Sequence, residues 1–207
     1  EGLFQFHDHE YKLVDLPGTY SLTSYTMEEQ VSRQYILSDD VDVVVDVADA
    51  SSLERNLYLT LQLLELGKPV ILALNMMDEV RANGGTIKIR EMQQALGVPV
   101  VPISASKNEG VAELIDTALE VAANRQKPKR MDFCSGPVHR SIHAVAHLVE
   151  DHAQRMNIPS RFAATKLVEG DEIIRQALQL SENELDMIEH SVTEMEQELG
   201  TDREAAL

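Results

Sequence analysis

Three short segments combine residue types and spacings that suit nucleotide chemistry. Asn75-Met76-Met77-Asp78 is the most selective of them. An aspartate carboxylate accepts two hydrogen bonds, so Asp78 could take both the ring N–H and the exocyclic amino group of guanine; adenine offers no such donor pair and would leave polar groups unpaired. The Asn75 amide would bridge the base and a phosphate-binding loop, and Met76 would lie on the base plane as a flexible apolar cover. Asp15-Leu16-Pro17-Gly18 supplies a second part. A carboxylate at Asp15 would help to hold Mg2+ through water, while Gly18 lets its backbone N–H approach a terminal phosphate and swing away after hydrolysis. In Ser104-Ala105-Ser106-Lys107, the small Ala105 would let a backbone N–H donate to the guanine carbonyl oxygen. Singly, each segment is more often a turn or a helix cap. Their order, each following a strand of an open α/β sheet where ligands bind, carries the reading.

The elements that must position these segments are legible in the pattern of apolar residues. Tyr11–Leu16, Val41–Ala48, Val70–Leu74 and Val98–Ile103 read as strands, the last three almost continuously apolar, as strands covered on both faces must be. Helical patterns lie between them. Ser51 with Glu54 is expected to form a capping box for a leucine-rich helix stopping at Gly67 and Pro69, and Gly97 to end a shorter helix. Alternating strands and helices predict a mostly parallel sheet with helices on both faces. Leu3–Phe6 and Tyr11–Leu16, separated by polar His7–Glu10, are expected to form a hairpin adding one antiparallel strand to that sheet. A helix over Val111–Ala123 closes this part.

Residues 1–125 are therefore assigned to a nucleotide-binding domain and 126–137, with their basic residues and prolines, to a linker. Residues 138–207 are assigned to a small all-helical domain. There Val138, Ile142, Val145 and Val149 trace one apolar face, Ser160 starts a helix through Val168, and Ser181 with Glu184 caps a long helix ending at Gly200. Thr201 and Glu204 are expected to cap a further helix, inside which the chain ends.

Composition limits the partners. The 207 residues carry a net charge of −17, which disfavours nucleic acid and anionic lipid surfaces as principal partners. Nine of the acids fall between Leu180 and Leu207 against Arg203 alone, and a solvated helix face explains them. No apolar run approaches the roughly 20 residues of a membrane-spanning helix. One cysteine, Cys134, excludes an internal disulfide framework and suits a reducing compartment.

One expected part has no counterpart: no G-x-x-x-x-G-K-[ST] run, the loop that cradles phosphates, occurs in the sequence. The chain is thus expected to begin mid-fold, after the first strand, that loop and the first switch. Thr19 follows Gly18 where a water-orienting glutamine stands in related switch proteins, so hydrolysis should be slow and depend on backbone groups, a monovalent cation or a partner. Tyr20 to Arg33, with Thr26 and Glu29 as a cap, is expected to be the part that moves with nucleotide state.

Asp15 to Ile36 (DLPGTYSLTSYTMEEQVSRQYI) resembles the switch region of the ferrous iron transport protein B family. Asn75–Asp78, Val98–Val111 and Arg161–Asp171 (RFAATKLVEGD) are similar to that family's base-reading segments and to the signature of its helical domain. The resemblance implies a P-loop GTPase-like domain followed by a regulatory helical domain, on the cytoplasmic face of a bacterial inner membrane. It implies GTP or GDP, Mg2+ and a monovalent cation such as K+ as ligands. Its implied partners are the transmembrane pore of the same polypeptide, small accessory iron-transport proteins and further copies of itself. Carried over by position, Asp15 and Gly18 would serve Mg2+ and the terminal phosphate, and Asn75, Asp78 and Ala105 would read guanine. Two alternatives stand beside this reading: a non-catalytic switch-fold interaction module, and a ribosome-associated GTPase, which the acidic helical segment disfavours. His7-Asp8-His9 reads as a solvated hairpin tip. His139, His143 and His147 share one helix face on which imidazoles could hold a cation, though a solvated face is the plainer expectation.

Overall fold

The first ten residues fold back on themselves because His7 and Asp8 both adopt the left-handed backbone, at φ 48° and 61°. That conformation is what a two-residue turn of a twisted hairpin requires. It joins β1 (Gly2–Phe6) to β2 (His9–Leu13), with Phe6 opposite His9 and Gly2 opposite Leu13. The computed structural model describes residues 1–18, 22, 27–38, 40–129 and 134–206. Within these, α1 (Met27–Leu37) precedes β3 (Val44–Asp49), α2 (Leu53–Glu65), β4 (Val70–Asn75), α3 (Met77–Ala82), α4 (Ile89–Leu96), β5 (Val100–Pro102) and α5 (Val111–Ala123).

β3, β4 and β5 form a parallel sheet with β4 in the centre, Val44 beside Val70 and Leu72 beside Val100. β4 is fully buried from Val70 to Leu74, and its alternation serves two cores. Val70, Leu72 and Leu74 face α2, whereas Ile71 and Ala73 join Val101, Ile103 and Val121 beneath α5. Helices thus cover both faces, as the apolar runs require.

The hairpin departs from expectation. It forms a sheet of its own, and no ladder joins β2 to β3. Strand pairing needs neighbours about 4.8 Å apart, and an apolar pattern shows that a segment is a strand without showing which edge it meets. Among the described residues β3 therefore has one unpaired edge, and Val47 upon it is 57% exposed. Strand β2 also stops at Leu13, before Asp15.

Two expected caps are corrected. Asp49, not Ser51 with Glu54, caps the entry to α2: its Oδ1 accepts from the Ser51 N–H at 2.8 Å and opens a 3-10 turn over Ala50–Ser52. The carboxylate reaches the orphan N–H from the strand end, so the serine is left inside the turn. At the C-terminal end Asp202 Oδ1 accepts from the Ala205 N–H at 2.9 Å, displacing Thr201 as the cap of α11 (Arg203–Ala206). The Thr26 and Glu29 cap, together with Thr19 and Tyr20, falls outside the described side chains.

The remainder is helical: α6 (Gly136–Leu148), α7 (Glu150–Arg155), α8 (Ser160–Glu169), α9 (Glu172–Leu178), α10 (Glu182–Leu199) and α11. Ser181 and Glu184 make the expected capping box of α10, and Gly200 ends it at φ 69°. α8 is the hub, with Phe162, Ala163, Ala164, Leu167 and Val168 buried against α6 and α10. Its core is continuous with the one between α2 and the sheet. Along that join Glu65 of α2 accepts from Thr165 Oγ1 at 3.2 Å and pairs with Arg161, while Tyr58 donates to Glu169 at 3.1 Å. Glu169 also holds the fully buried Lys166 ammonium at 2.6 Å.

Candidate nucleotide site

The ends of β4 and β5 meet through backbone bonds: Ile103 N–H donates to Leu74 O at 2.7 Å, and Met77 N–H to Ile103 O at 3.2 Å. These bonds bring the second and third motifs side by side. Beyond β4 the chain turns through Met76, left-handed at φ 64° and 38% exposed, and enters α3. Asn75 Oδ1 accepts from the Ala105 N–H at 3.0 Å, and the Asp78 N–H donates to Ser104 Oγ at 3.0 Å. Ser104 is buried, so its hydroxyl is a fixed post for the start of α3.

The loop after β5 owes its shape to two glycine-like positions. Asn108 is left-handed at φ 55°, and Ser104 and Glu109 exchange backbone hydrogen bonds at 3.0 and 3.1 Å. At Gly110, φ 74°, a Cβ would stand 2.4 Å from the Pro102 carbonyl oxygen, so only glycine closes this loop against the strand. The closure places Ala105 over Asn75.

Asp78 is the charged member of the cluster. Its Oδ2 lies 3.1 Å from Lys107 Nζ, while Oδ1 is buried without a hydrogen-bond partner. The Lys107 ammonium on its carboxylate holds Asp78 below the usual carboxylate range. The cluster therefore presents a fixed, ionised acceptor beside an exposed methionine. That is the chemistry for reading a base with adjacent donors.

Asn75, Asp78, Ser104 and Ala105 thus converge as the motifs suggested, with two differences. The Asn75 amide oxygen is engaged by the very Ala105 N–H expected to face the base, so the two residues brace one another. Met77 is buried in the core, leaving Met76 as the exposed methionine; Ser106 is exposed beside Ala105. Asp15, Pro17 and Gly18 are exposed, Leu16 packs on the core, and the Pro17 carbonyl accepts from Ser32 Oγ of α1 at 3.4 Å. No hydrogen bond among the described residues links this segment to the Asn75–Ala105 cluster. Lys107 was visible at the end of its motif, but its role was not, because pairing with Asp78 depends on the loop closing.

Elsewhere, His139, His143 and His147 stack along α6, ring centroids 5.9 and 4.6 Å apart. Among the described residues no group of three or more His, Cys, Asp or Glu is arranged to hold a metal ion. Cys134 accepts from Arg161 Nη2 at 3.2 Å. No helix among the described residues is long and apolar enough to cross a membrane.

A parallel sheet with helices on both faces, the Asn75–Asp78 and Ser104–Lys107 segments at its strand ends and a helical appendage define a domain of the P-loop GTPase fold. Residues 1–118 match the family model for ferrous iron transport protein B, and residues 135–207 that for the FeoB cytosolic helical domain. The chain belongs to the FeoB family. It is 41% identical over 177 residues to the Fe(2+) transport protein A/Fe(2+) transporter FeoB fusion protein of Porphyromonas gingivalis, covering 83% of this chain and 21% of that protein. To the Fe(2+) transporter FeoB of Escherichia coli K12 it is 48% identical over 131 residues, 61% of this chain and 16% of that one. Among solved structures, NFeoB from S. thermophilus bound to GDP.AlF4- and K+ superposes with TM-score 0.83 at 35% identity, over 93% of this chain and 74% of that chain. The cytosolic domain of T. maritima FeoB in a GDP form gives TM-score 0.78 at 33% identity, over 95% and 80%. The chain spans only 16% to 21% of the length of the two curated relatives.

Proposed function

We propose that this chain is the guanine-reading part of the cytosolic GTPase and helical region of a bacterial ferrous iron transporter. The observation that carries the proposal is the Asn75–Asp78–Ser104–Ala105 cluster, where an ionised carboxylate keeps one buried oxygen without a partner. A carboxylate so placed favours a base offering two neighbouring donors, which guanine does and adenine does not.

The division follows the same boundaries: residues 1–125 for the nucleotide, 126–137 as linker and 138–207 as the helical domain, in which α6 begins slightly earlier, at Gly136. The phosphate-gripping loop would arrive on a further strand against the outer edge of β3. That edge has no ladder partner among the described residues, and Val47 there is 57% exposed. Asp15, Pro17 and Gly18 would face the terminal phosphate with Leu16 anchoring them on the core. Asn75, Met76, Asp78, Ala105 and Ser106 would surround the base, and Met77 and Ser104 would support them from beneath.

Asp15 suits a water-mediated hold on Mg2+: it is a single exposed carboxylate just past a strand end. Mg2+, when bound, would neutralise phosphate charge. K+ is the monovalent ion proposed, as in the S. thermophilus relative, and no residue of this chain is assigned to it. With Thr19 after Gly18, hydrolysis is slow without help. The domain then serves the membrane pore of the same polypeptide from the cytoplasmic face.

Titration of a fluorescent guanine nucleotide, with the adenine analogue as control, tests this on the full-length protein that carries the chain. Guanine should bind at least a hundredfold more tightly. Equal affinity for the two bases would refute the assignment.

A further inference from the structure

The carboxylate that is to read the base already has a cation on it. Lys107 Nζ stands 3.1 Å from Asp78 Oδ2, and the two residues come from the loops after neighbouring strands. Their surroundings are unequal. The Asp78 side chain is 15% exposed and is fixed at the start of α3, where its own N–H donates to the buried Ser104 hydroxyl at 3.0 Å. The Lys107 side chain is 56% exposed and hangs from a 3-10 turn over Ala105–Lys107 that ends in the left-handed Asn108. No other ion pair holds the lysine among the described residues. It can therefore leave by rotating into solvent, without any movement of strand or helix.

Guanine needs both carboxylate oxygens, one for the ring N–H and one for the amino group. Asp78 Oδ1 is buried and has no hydrogen-bond partner, which leaves Oδ2 as the outward oxygen, and Oδ2 is taken. We infer that Lys107 is a built-in competitor for the base: its ammonium occupies the oxygen of Asp78 that the guanine amino group requires, and is displaced when the base docks. This rests on Asp78 being the guanine reader. A base with both donors replaces the ammonium and satisfies the second oxygen as well. A base with one donor loses the ion pair and leaves an oxygen unpaired, so the lysine also sharpens selection.

The strength of the competition is bounded by the exposure of the lysine. A half-exposed ion pair is worth a factor of about two to five in equilibrium, enough to set how readily nucleotide loads without blocking it.

The test measures the dissociation constant of a fluorescent GDP for full-length wild type and for Lys107→Ala, Lys107→Gln and Lys107→Arg, with thermal unfolding recorded alongside. The alanine and glutamine variants should bind about two- to fivefold more tightly, while arginine, which restores the pair, should return to the wild-type value. A merely structural lysine would give weaker binding and a lowered unfolding temperature on removal. Unchanged or weaker binding in Lys107→Ala and Lys107→Gln would overturn the inference while leaving the guanine assignment intact. Failure of wild type to prefer guanine would overturn both.

Discussion

Asp46 is a carboxyl buried in the middle of a strand, 6% exposed, with Thr60 Oγ1 donating to it at 2.6 Å. Burial outweighs that hydrogen bond and raises its pKa from 3.8 to about 6. The folded chain thus holds this proton more tightly than the unfolded one. The group's contribution is most favourable below about pH 4 and declines as pH rises to about 6, reaching a penalty of about 3 kcal/mol above it. Asp46→Asn keeps an acceptor for Thr60 and cannot ionise. Relative to wild type its stability should therefore improve by about 3 kcal/mol between about pH 4 and about pH 7 in urea unfolding; parallel pH profiles would show that Asp46 is not buried in this way. The residue was not legible as special in VDVVVDVA, because alternation there placed an acid among valines without saying what lay opposite. Asp78 was legible, since its meaning comes from the base it would read.

Between elements, the clearest connection runs from α1 to the start of α9. Arg33 Nη1 pairs with Asp171 Oδ2 at 3.3 Å, the side chains 7% and 3% exposed, and Asp171 also caps α9 by accepting from the Ile173 and Ile174 N–H groups. This ties the helix just after the Asp15–Gly18 segment to the helical domain, so a displacement of α1 must break or carry a buried pair. Arg33→Met should destabilise the chain by about 3 kcal/mol, because it removes one member of a buried ion pair. Asp171→Asn retains the cap and removes the charge, and the double variant should be no worse than the worse single one in urea unfolding. Additive losses would mean that the two residues are not coupled. The sequence marked both segments through their family resemblance, but a pair separated by 138 positions is invisible to any local pattern.

Across the molecule, what could be read in advance was what local physics determines. The apolar runs became strands, Gly97 and Gly200 became left-handed helix ends, and Ser181 with Glu184 became a capping box. What could not be read was which edge each element meets: the hairpin was expected on the parallel sheet and instead stands alone. Caps failed where a nearby aspartate took the N–H instead, Asp49 two residues before Ser51 and Asp202 one residue after Thr201. The helical domain and the sheet share one continuous core through α2 and α8.

On the proposed reading, the Asp78 carboxylate chooses the purine by the donors that the base presents. Asp78→Asn in the full-length protein exchanges one acceptor for a donor, which suits a base with a carbonyl where guanine carries its amino group. Competitive titration with guanosine and xanthosine diphosphates should show guanine binding weakened at least about tenfold and xanthine binding strengthened. Unaltered guanine affinity, with no gain for xanthine, would show that Asp78 does not read the base.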